Sequence, residues 1–295
     1  MNIVSNKCSD YALVTGGSEG IGKCVADELA GRGYNIILVA LPNDELEKTK
    51  AELNERHPVD VRTVGVDLTK AESAEEVYYW CKLNELKVTI LVNNAGFGYS
   101  GKFDEYDLDF LDSLMKLNMV AMVNLTRLFV ADMKHYPESY IMNVGSIASY
   151  YDSPFKAVYA ASKKFVFSFS RAIRVEYADT GVSVSVLTPA GVMTNENVKC
   201  AAEALGWVAR IISYTPEEVA EKAVRGMFRK KAVIIPGAFN KFYIGLRRIL
   251  PYRLQLKLIS GHFKKKNVPK YANADGDTMD DGPEVDRRRP TALSK

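Results

Sequence analysis

Ala12-Leu13-Val14-Thr15-Gly16-Gly17-Ser18-Glu19-Gly20-Ile21-Gly22 is the stretch on which the fold turns. A short apolar run passes straight into a glycine-rich turn, and a helical pattern, Ile21–Gly31, follows at once. Glycine permits a tight turn and lets the backbone approach a phosphate closely. The helix N-terminus behind it offers free N–H groups and a partial positive charge. A plain strand-to-helix turn also uses glycine, so the stretch takes its meaning from what surrounds it. Further apolar runs stand at Asn35–Ala40, Val61–Val66, Ile90–Val92, Tyr140–Val144, Val182–Leu187 and Ala232–Ile235. They are nearly continuous in hydrophobicity, as strands covered on both faces are. Helical patterns lie between them at Asp44–Arg56, Ala71–Leu86, Leu108–Lys134, Ala157–Asp179 and Pro216–Lys230. The last has a good start, with Thr215 as N-cap, Pro216 in the first turn and Glu218 completing a capping box. Strand and helix alternating in this way predict an α/β fold, a doubly wound parallel sheet with helices on both faces.

The chain has 295 residues, enough for one large domain or two small ones. Its 39 basic and 36 acidic residues leave a net charge of +3, too small to argue for nucleic acid. Cys8, Cys24, Cys81 and Cys200 are scattered without a Cys-x-x-Cys, and His57, His135 and His262 are far apart, so no zinc site can be read. Reduced thiols in a cytoplasmic location are the simplest expectation. The first ten residues lack the apolar core of a signal peptide, and no run of about 18 uncharged apolar residues suggests a transmembrane helix.

Tyr159 and Lys163 are spaced i, i+4 within Tyr-Ala-Ala-Ser-Lys, so one helix face carries both. An ammonium beside a phenol favours the phenolate, which makes a tyrosine a general acid or base near neutral pH. Ser146 lies 13 residues upstream. Asn93-Asn94-Ala95-Gly96 ends the fourth apolar run, and ligands of open α/β sheets bind beyond the carboxyl ends of the strands. Asp67, after the third run, suits an acceptor for an adenine amino group and equally suits a cap for the next segment.

Taken in order, Thr15-Gly-Gly-Ser-Glu-Gly-Ile-Gly22, Asn93-Asn-Ala-Gly96, Asn118, Ser146, Tyr159-x-x-x-Lys163 and Pro189-Ala-Gly-Val-Met-Thr194 resemble the short-chain dehydrogenase/reductase family, over about residues 10–237. The resemblance implies a single Rossmann-type domain with a seven-stranded parallel sheet. It also implies a catalytic tetrad. Tyr159 is the general acid or base, and Lys163 lowers its pKa and holds the nicotinamide ribose. Ser146 donates a hydrogen bond to the substrate oxygen, and Asn118 positions a water that links Lys163 to solvent. The cofactor contacts it implies are Gly16, Ser18, Glu19, Gly20, Ile21, Gly22, Leu41, Asp67, Leu68, Asn94, Ala95, Gly96, Tyr159, Lys163, Val192 and Thr194. No metal is implied. The family's usual Pro-Gly after the sixth strand is here Pro189-Ala190-Gly191, which shifts the loop without removing it.

At the end of the second strand, Ala40-Leu41-Pro42-Asn43 carries neither the acid of NAD-preferring members nor the arginine of NADP-preferring ones. The absent acid permits a 2′-phosphate within reach of Asn43 or Lys48, so NADPH is the favoured cofactor and NADH the alternative. The domain is expected to span residues 1–237, with a substrate lid at about 188–214. Residues 238–266 form a basic, apolar segment and residues 267–295 a polar, disordered tail. Phe239–Lys266 holds eight basic residues and no acid, interleaved with apolar side chains. That pattern suits either packing on the core or peripheral contact with the cytoplasmic face of a membrane. By resemblance the substrate is a hydrophobic ketone or alcohol. A long-chain lipid ketone of 3-ketosphinganine or 3-oxoacyl type ranks first, a steroid or bile-acid hydroxyl second, a small ketone third. A homo-oligomer is expected by analogy, and no nucleic acid. A nucleotide-binding Rossmann protein without turnover is the reading from another class.

Overall fold

Seven parallel strands form where the apolar runs stand. They are β1 (Asp10–Thr15), β2 (Asn35–Ala40), β3 (Val61–Gly65), β4 (Lys87–Asn93), β5 (Ser139–Val144), β6 (Val182–Leu187) and β7 (Val233–Ile234). The computed structural model describes residues 10–190, 214–237 and 240. Within them the sheet order is β3-β2-β1-β4-β5-β6-β7, with every pairing parallel. The helices between are α1 (Gly20–Ala30), α2 (Asp44–Arg56), α3 (Ser73–Leu83), α4 (Leu108–Met115), α5 (Met122–Met133), α6 (Ala157–Glu176) and α7 (Pro216–Phe228). This is the expected doubly wound α/β fold.

Successive residues of a strand point to opposite faces, and here both faces are apolar. Ala12 and Val14 of β1 pack with Val25, Leu29 and Leu53 of α1 and α2 and with Val219 and Met227 of α7. Tyr11 and Leu13 face the other layer, with Val77 of α3, Leu125, Phe129 and Met133 of α5, and Ile173 of α6. The strand order reverses between β1 and β4, which opens a crevice at their carboxyl ends. The start of α7 is as expected, with Thr215 Oγ1 accepting the N–H of Glu218 and the Glu218 side chain accepting that of Thr215.

Among the expected helices, α6 ends at Glu176 rather than Asp179, and two others are corrected. The pattern Leu108–Lys134 is not one regular helix. A π-helical turn, Lys116–Ala121, separates α4 from α5. By length and composition Leu108–Met133 is apolar enough to cross a membrane; in the fold Leu125, Phe129, Val130 and Met133 pack on the sheet, while Leu108, Met115 and Val120 stay exposed. The other correction concerns α3, which stops at Leu83 rather than Leu86. Glu85 takes a left-handed conformation (φ 56°). The Glu85 N–H donates to the Lys82 carbonyl and the Leu86 N–H to the Cys81 carbonyl, at 3.1 and 3.0 Å. This is a Schellman ending made without its usual glycine. The expected lid at 188–214, apart from Thr188–Ala190 and Tyr214, lies outside the described residues. So do residues 241–266 and the tail.

Candidate active site

At the reversal point the ends of β1 and β4 are stitched together by one hydroxyl. Thr15 Oγ1 accepts the backbone N–H groups of Asn94 and Ala95, both at 3.0 Å, and donates to the Val92 carbonyl at 3.4 Å. In return Asn94 Nδ2 donates to the carbonyls of Thr15 and Gly16, each at 3.0 Å. The glycine turn is as tight as its sequence suggests. Gly16 and Gly20 have φ of 59° and 55°, the region glycine occupies without strain. A Cβ on Gly22 would stand 2.0 Å from the Gly16 carbonyl oxygen, so α1 begins hard against the turn. Glu19 precedes α1 in extended conformation without a side-chain cap, and the first turn of the helix carries no acid. A helix N-terminus left this way suits a phosphate, so these residues fit the pyrophosphate of a dinucleotide.

Gly22→Ala is expected to lower stability in urea titration by about 1–3 kcal/mol, since the added methyl overpacks against backbone that has no room to give. The same variant should lose nucleotide binding in a fluorescence titration. Wild-type stability in that variant would show the turn to be looser than described.

Further along the crevice, Leu41 is 42% exposed at the end of β2. Asn43 turns its Oδ1 back to accept the Leu46 N–H at 3.2 Å, capping α2. Lys48 pairs with Glu45 at 3.5 Å. Asp67 also caps: its Oδ1 accepts from the backbone and hydroxyl of Thr69 at 2.9 and 2.7 Å. Burial works to raise the Asp67 pKa, but the Thr69 hydrogen bonds prevail and hold it below its ordinary value. Leu68 beside it is buried.

The second half of the site is built on α6. Lys163 is 6% exposed, and its Nζ donates to the Val144 carbonyl at 2.9 Å. The same ammonium lies 5.9 Å from the centre of the Tyr159 ring. Burial pushes Lys163 down to about 8. Ser146 follows β5 and accepts the Ala148 N–H at 3.1 Å, starting a 3-10 turn, Ile147–Tyr150. Within that turn Ser149 Oγ donates to the Lys163 carbonyl at 2.8 Å, which ties the Ser146 turn to α6.

Asn118 sits in the π turn, 2% exposed. Its Oδ1 accepts the Phe97 N–H at 3.0 Å, and its Nδ2 donates to the Phe97 carbonyl at 2.9 Å and to Ser162 Oγ at 3.2 Å. Ser162 in turn donates to the Tyr159 carbonyl at 2.8 Å. A methyl at Gly96 would meet Asn118 Oδ1 at 2.6 Å and Lys163 Nζ at 3.4 Å. Gly96, Asn118 and Lys163 therefore converge on one point. Gly98 lies under the Tyr159 ring, where a Cβ would come within 2.9 Å of it.

Three residues the sequence reading did not single out hold these groups: Thr15, Gly98 and Ser162. Thr15 stood in plain view before the glycines, but the others declare themselves only through partners distant in the chain. Val192 and Thr194 lie outside the described residues. Among those described, no cluster of His, Cys, Asp or Glu could hold a metal. Burial pushes the thiols of Cys24 and Cys81 up to about 12, which leaves them protonated.

The chain is similar to known proteins in sequence and in fold. The chain is 35% identical over 193 residues to the very-long-chain 3-oxoacyl-CoA reductase of Bos taurus, a match covering 63% of this chain and 60% of the bovine protein. It therefore spans about three-fifths of the length of such relatives. A solved 7beta-hydroxysteroid dehydrogenase superimposes with a TM-score of 0.80 at 22% identity, covering 88% of this chain and all of the other, which shows the fold. A short-chain dehydrogenase from Sphingobium yanoikuyae in complex with NADPH does so with a TM-score of 0.67 at 26% identity, covering 82% of this chain and 96% of the other. Residues 10–204 match the family model for short chain dehydrogenases. With two-thirds of its length inside that match, and with the glycine turn, Asn-Asn-Ala-Gly turn and Tyr-Lys pair set around one crevice, the chain belongs to the short chain dehydrogenase family.

Proposed function

We propose that the chain is an NAD(P)(H)-dependent oxidoreductase that reduces a ketone on a long-chain lipid, of 3-oxoacyl or 3-ketosphinganine type. The observation that carries the chemistry is the buried Lys163 ammonium, 5.9 Å from the Tyr159 ring centre. The bound nicotinamide would supply the hydride. The Tyr159 hydroxyl delivers the proton to the carbonyl oxygen, and Ser146 Oγ donates a hydrogen bond to the same oxygen as charge develops on it. Lys163 makes proton loss from Tyr159 easier through its charge. Both Nδ2 hydrogens of Asn118 go to Phe97 and Ser162, and its Oδ1 accepts the Phe97 N–H. A water linking Lys163 to solvent would be positioned at Asn118, whose Oδ1 has a second lone pair beyond the one that accepts the Phe97 N–H.

The glycine turn from Gly16 through Ser18, Glu19, Gly20 and Ile21 to Gly22 receives the pyrophosphate. Leu41, Asp67 and Leu68 flank the adenosine, and Asn94, Ala95 and Gly96 the nicotinamide side. NADPH is favoured because Ala40 and Leu41 put no carboxylate at the end of β2, and because a relative above one-quarter identity binds it. The sequence likeness to very-long-chain 3-oxoacyl-CoA reductases supports the lipid class. Contact of residues 239–266 with the cytoplasmic face of a membrane, and a homo-oligomer, belong to the same reading.

The test is oxidation of NADPH and NADH, in parallel, against 3-ketosphinganine, a 3-oxoacyl thioester, a ketosteroid and a small diketone. Turnover confined to the long-chain substrates, faster with NADPH, is the expected result. Turnover on the steroid or diketone alone would overturn the lipid assignment while leaving the oxidoreductase intact.

A further inference from the structure

The helix that carries Tyr159 and Lys163 begins without a cap of its own. Lys156 occupies the N-cap position of α6 with φ −145° and ψ 33° and contributes no side-chain cap, and the first turn carries no acid. The first N–H groups of a helix have no partner inside it, and an acceptor there commonly comes from a Ser, Thr, Asp or Asn at the N-cap. Here the acceptor comes from far away in the chain. Tyr99, 1% exposed, takes the Val158 N–H on its hydroxyl oxygen at 3.1 Å. Val158 is the second residue of α6 and the immediate neighbour of Tyr159.

Tyr99 is itself held firmly. Its ring packs against Tyr106 at 4.5 Å and edge-on against Phe110 at 5.9 Å. Leu111 and Leu114 complete the cluster, and Tyr159 leans on it. The segment around Tyr99 is fastened on both sides to the start of α6 and the residues just before it. Gly98 lies under the Tyr159 ring, and the Gly101 N–H donates to the Phe155 carbonyl at 2.9 Å. At its other end Phe97 is bonded in both directions to Asn118. Residues 97–101 thus form a strap between the π turn and the start of α6.

We propose that Tyr99 is a positioning residue: its buried hydroxyl stands in for the missing N-cap of α6 and fixes the first turn, and with it the direction in which Tyr159 points. The inference rests on the oxidoreductase reading of Tyr159 only for its effect on turnover. Its effect on the helix end is independent of that reading. Small displacements of a proton donor slow a reaction without weakening the binding of groups that do not react.

Tyr99→Phe keeps the ring and removes only the hydroxyl, and with it the acceptor of the Val158 N–H. Ketone reduction should fall about tenfold in kcat with the KM for cofactor unchanged, the pattern of a misplaced donor rather than a damaged cofactor site. In the protein without substrate, amide hydrogen exchange at Val158 and Tyr159 should quicken while the middle of α6 keeps its protection. Adding Lys156→Asp to the Tyr99→Phe chain places an acceptor at the N-cap and should restore both readouts, including where Tyr99→Phe alone folds poorly. Wild-type kcat, or unchanged exchange at Val158, or failure of Lys156→Asp to restore either, would overturn the proposal. A wild-type protein inert toward every ketone would instead sink the oxidoreductase reading, and the exchange comparison would still decide whether Tyr99 caps α6.

Discussion

Tyr159→Phe should reduce ketone turnover by about 10²–10⁴-fold, the range a positioned general acid contributes. The nicotinamide cofactor should bind as tightly as before. The phenylalanine ring keeps the contact with Gly98 and with the aromatic cluster. On the proposed mechanism, what disappears is the proton that Tyr159 would deliver to the carbonyl oxygen. Turnover and cofactor titration measured on the same preparation separate the two effects. A variant as active as the wild type would remove Tyr159 from the reaction and return weight to a nucleotide-binding protein without turnover.

Lys163→Met should abolish turnover and at the same time make the protein more stable near neutral pH. Lys163 ordinarily titrates near 10.5 and burial pushes it down to about 8 in the folded chain. Between those values the unfolded chain binds the proton and the folded chain does not, so stability of the wild type rises as pH climbs from about 8 to about 10.5. Below pH 8 both states are protonated, and the folded state bears the full cost of an ammonium held away from water. At 1.36 kcal/mol for each unit of difference, that cost is about 3 kcal/mol. Methionine fills similar space without charge but leaves the Val144 carbonyl without its Lys163 donor. With about 1–3 kcal/mol lost at that carbonyl, a net gain of up to about 2 kcal/mol at pH 7 is expected by urea denaturation. The alkaline rise should vanish in the variant. A methionine variant less stable than wild type at pH 7 would mean the ammonium is better solvated than its burial implies. The same titration bears on activity: ketone reduction by the wild type should decline above pH 8 as Lys163 loses its charge.

The architecture was legible because its causes are local or periodic. Apolar runs on strands buried from both sides, and glycine at the two left-handed positions after β1, can be read without knowing any partner. The Thr215-Pro216-Glu218 start of α7 was legible for the same reason, since all its bonds lie within four residues. The π turn was not. Leu108–Lys134 has apolar periodicity throughout and no glycine or proline to mark a break, and what Asn118 gains from the turn is Phe97, 21 residues away. The end of α3 hid because glutamate, not glycine, takes the left-handed position. Asp67 allowed two readings from position alone, and its Thr69 bonds show the cap. Tyr99 was beyond reach for the plainest reason. Its role lies in a hydrogen bond to Val158, 59 residues away, and an isolated tyrosine after a turn carries no mark of it.

The hydroxyl that joins the two lips of the crevice has a kinetic consequence. Thr15 and Asn94 stand 79 residues apart in the chain, and the strands they end are parallel, so a long crossover must close before their bonds can form. Contacts of such separation come late in folding, after the entropy of closing the intervening chain has been met. Helices alone, however complete, leave no crevice. Nucleotide retained by refolding protein therefore reports the pairing of β1 with β4 rather than the gain of helix. A nucleotide present from the start draws that closing step forward by mass action, because only the paired strands can hold it.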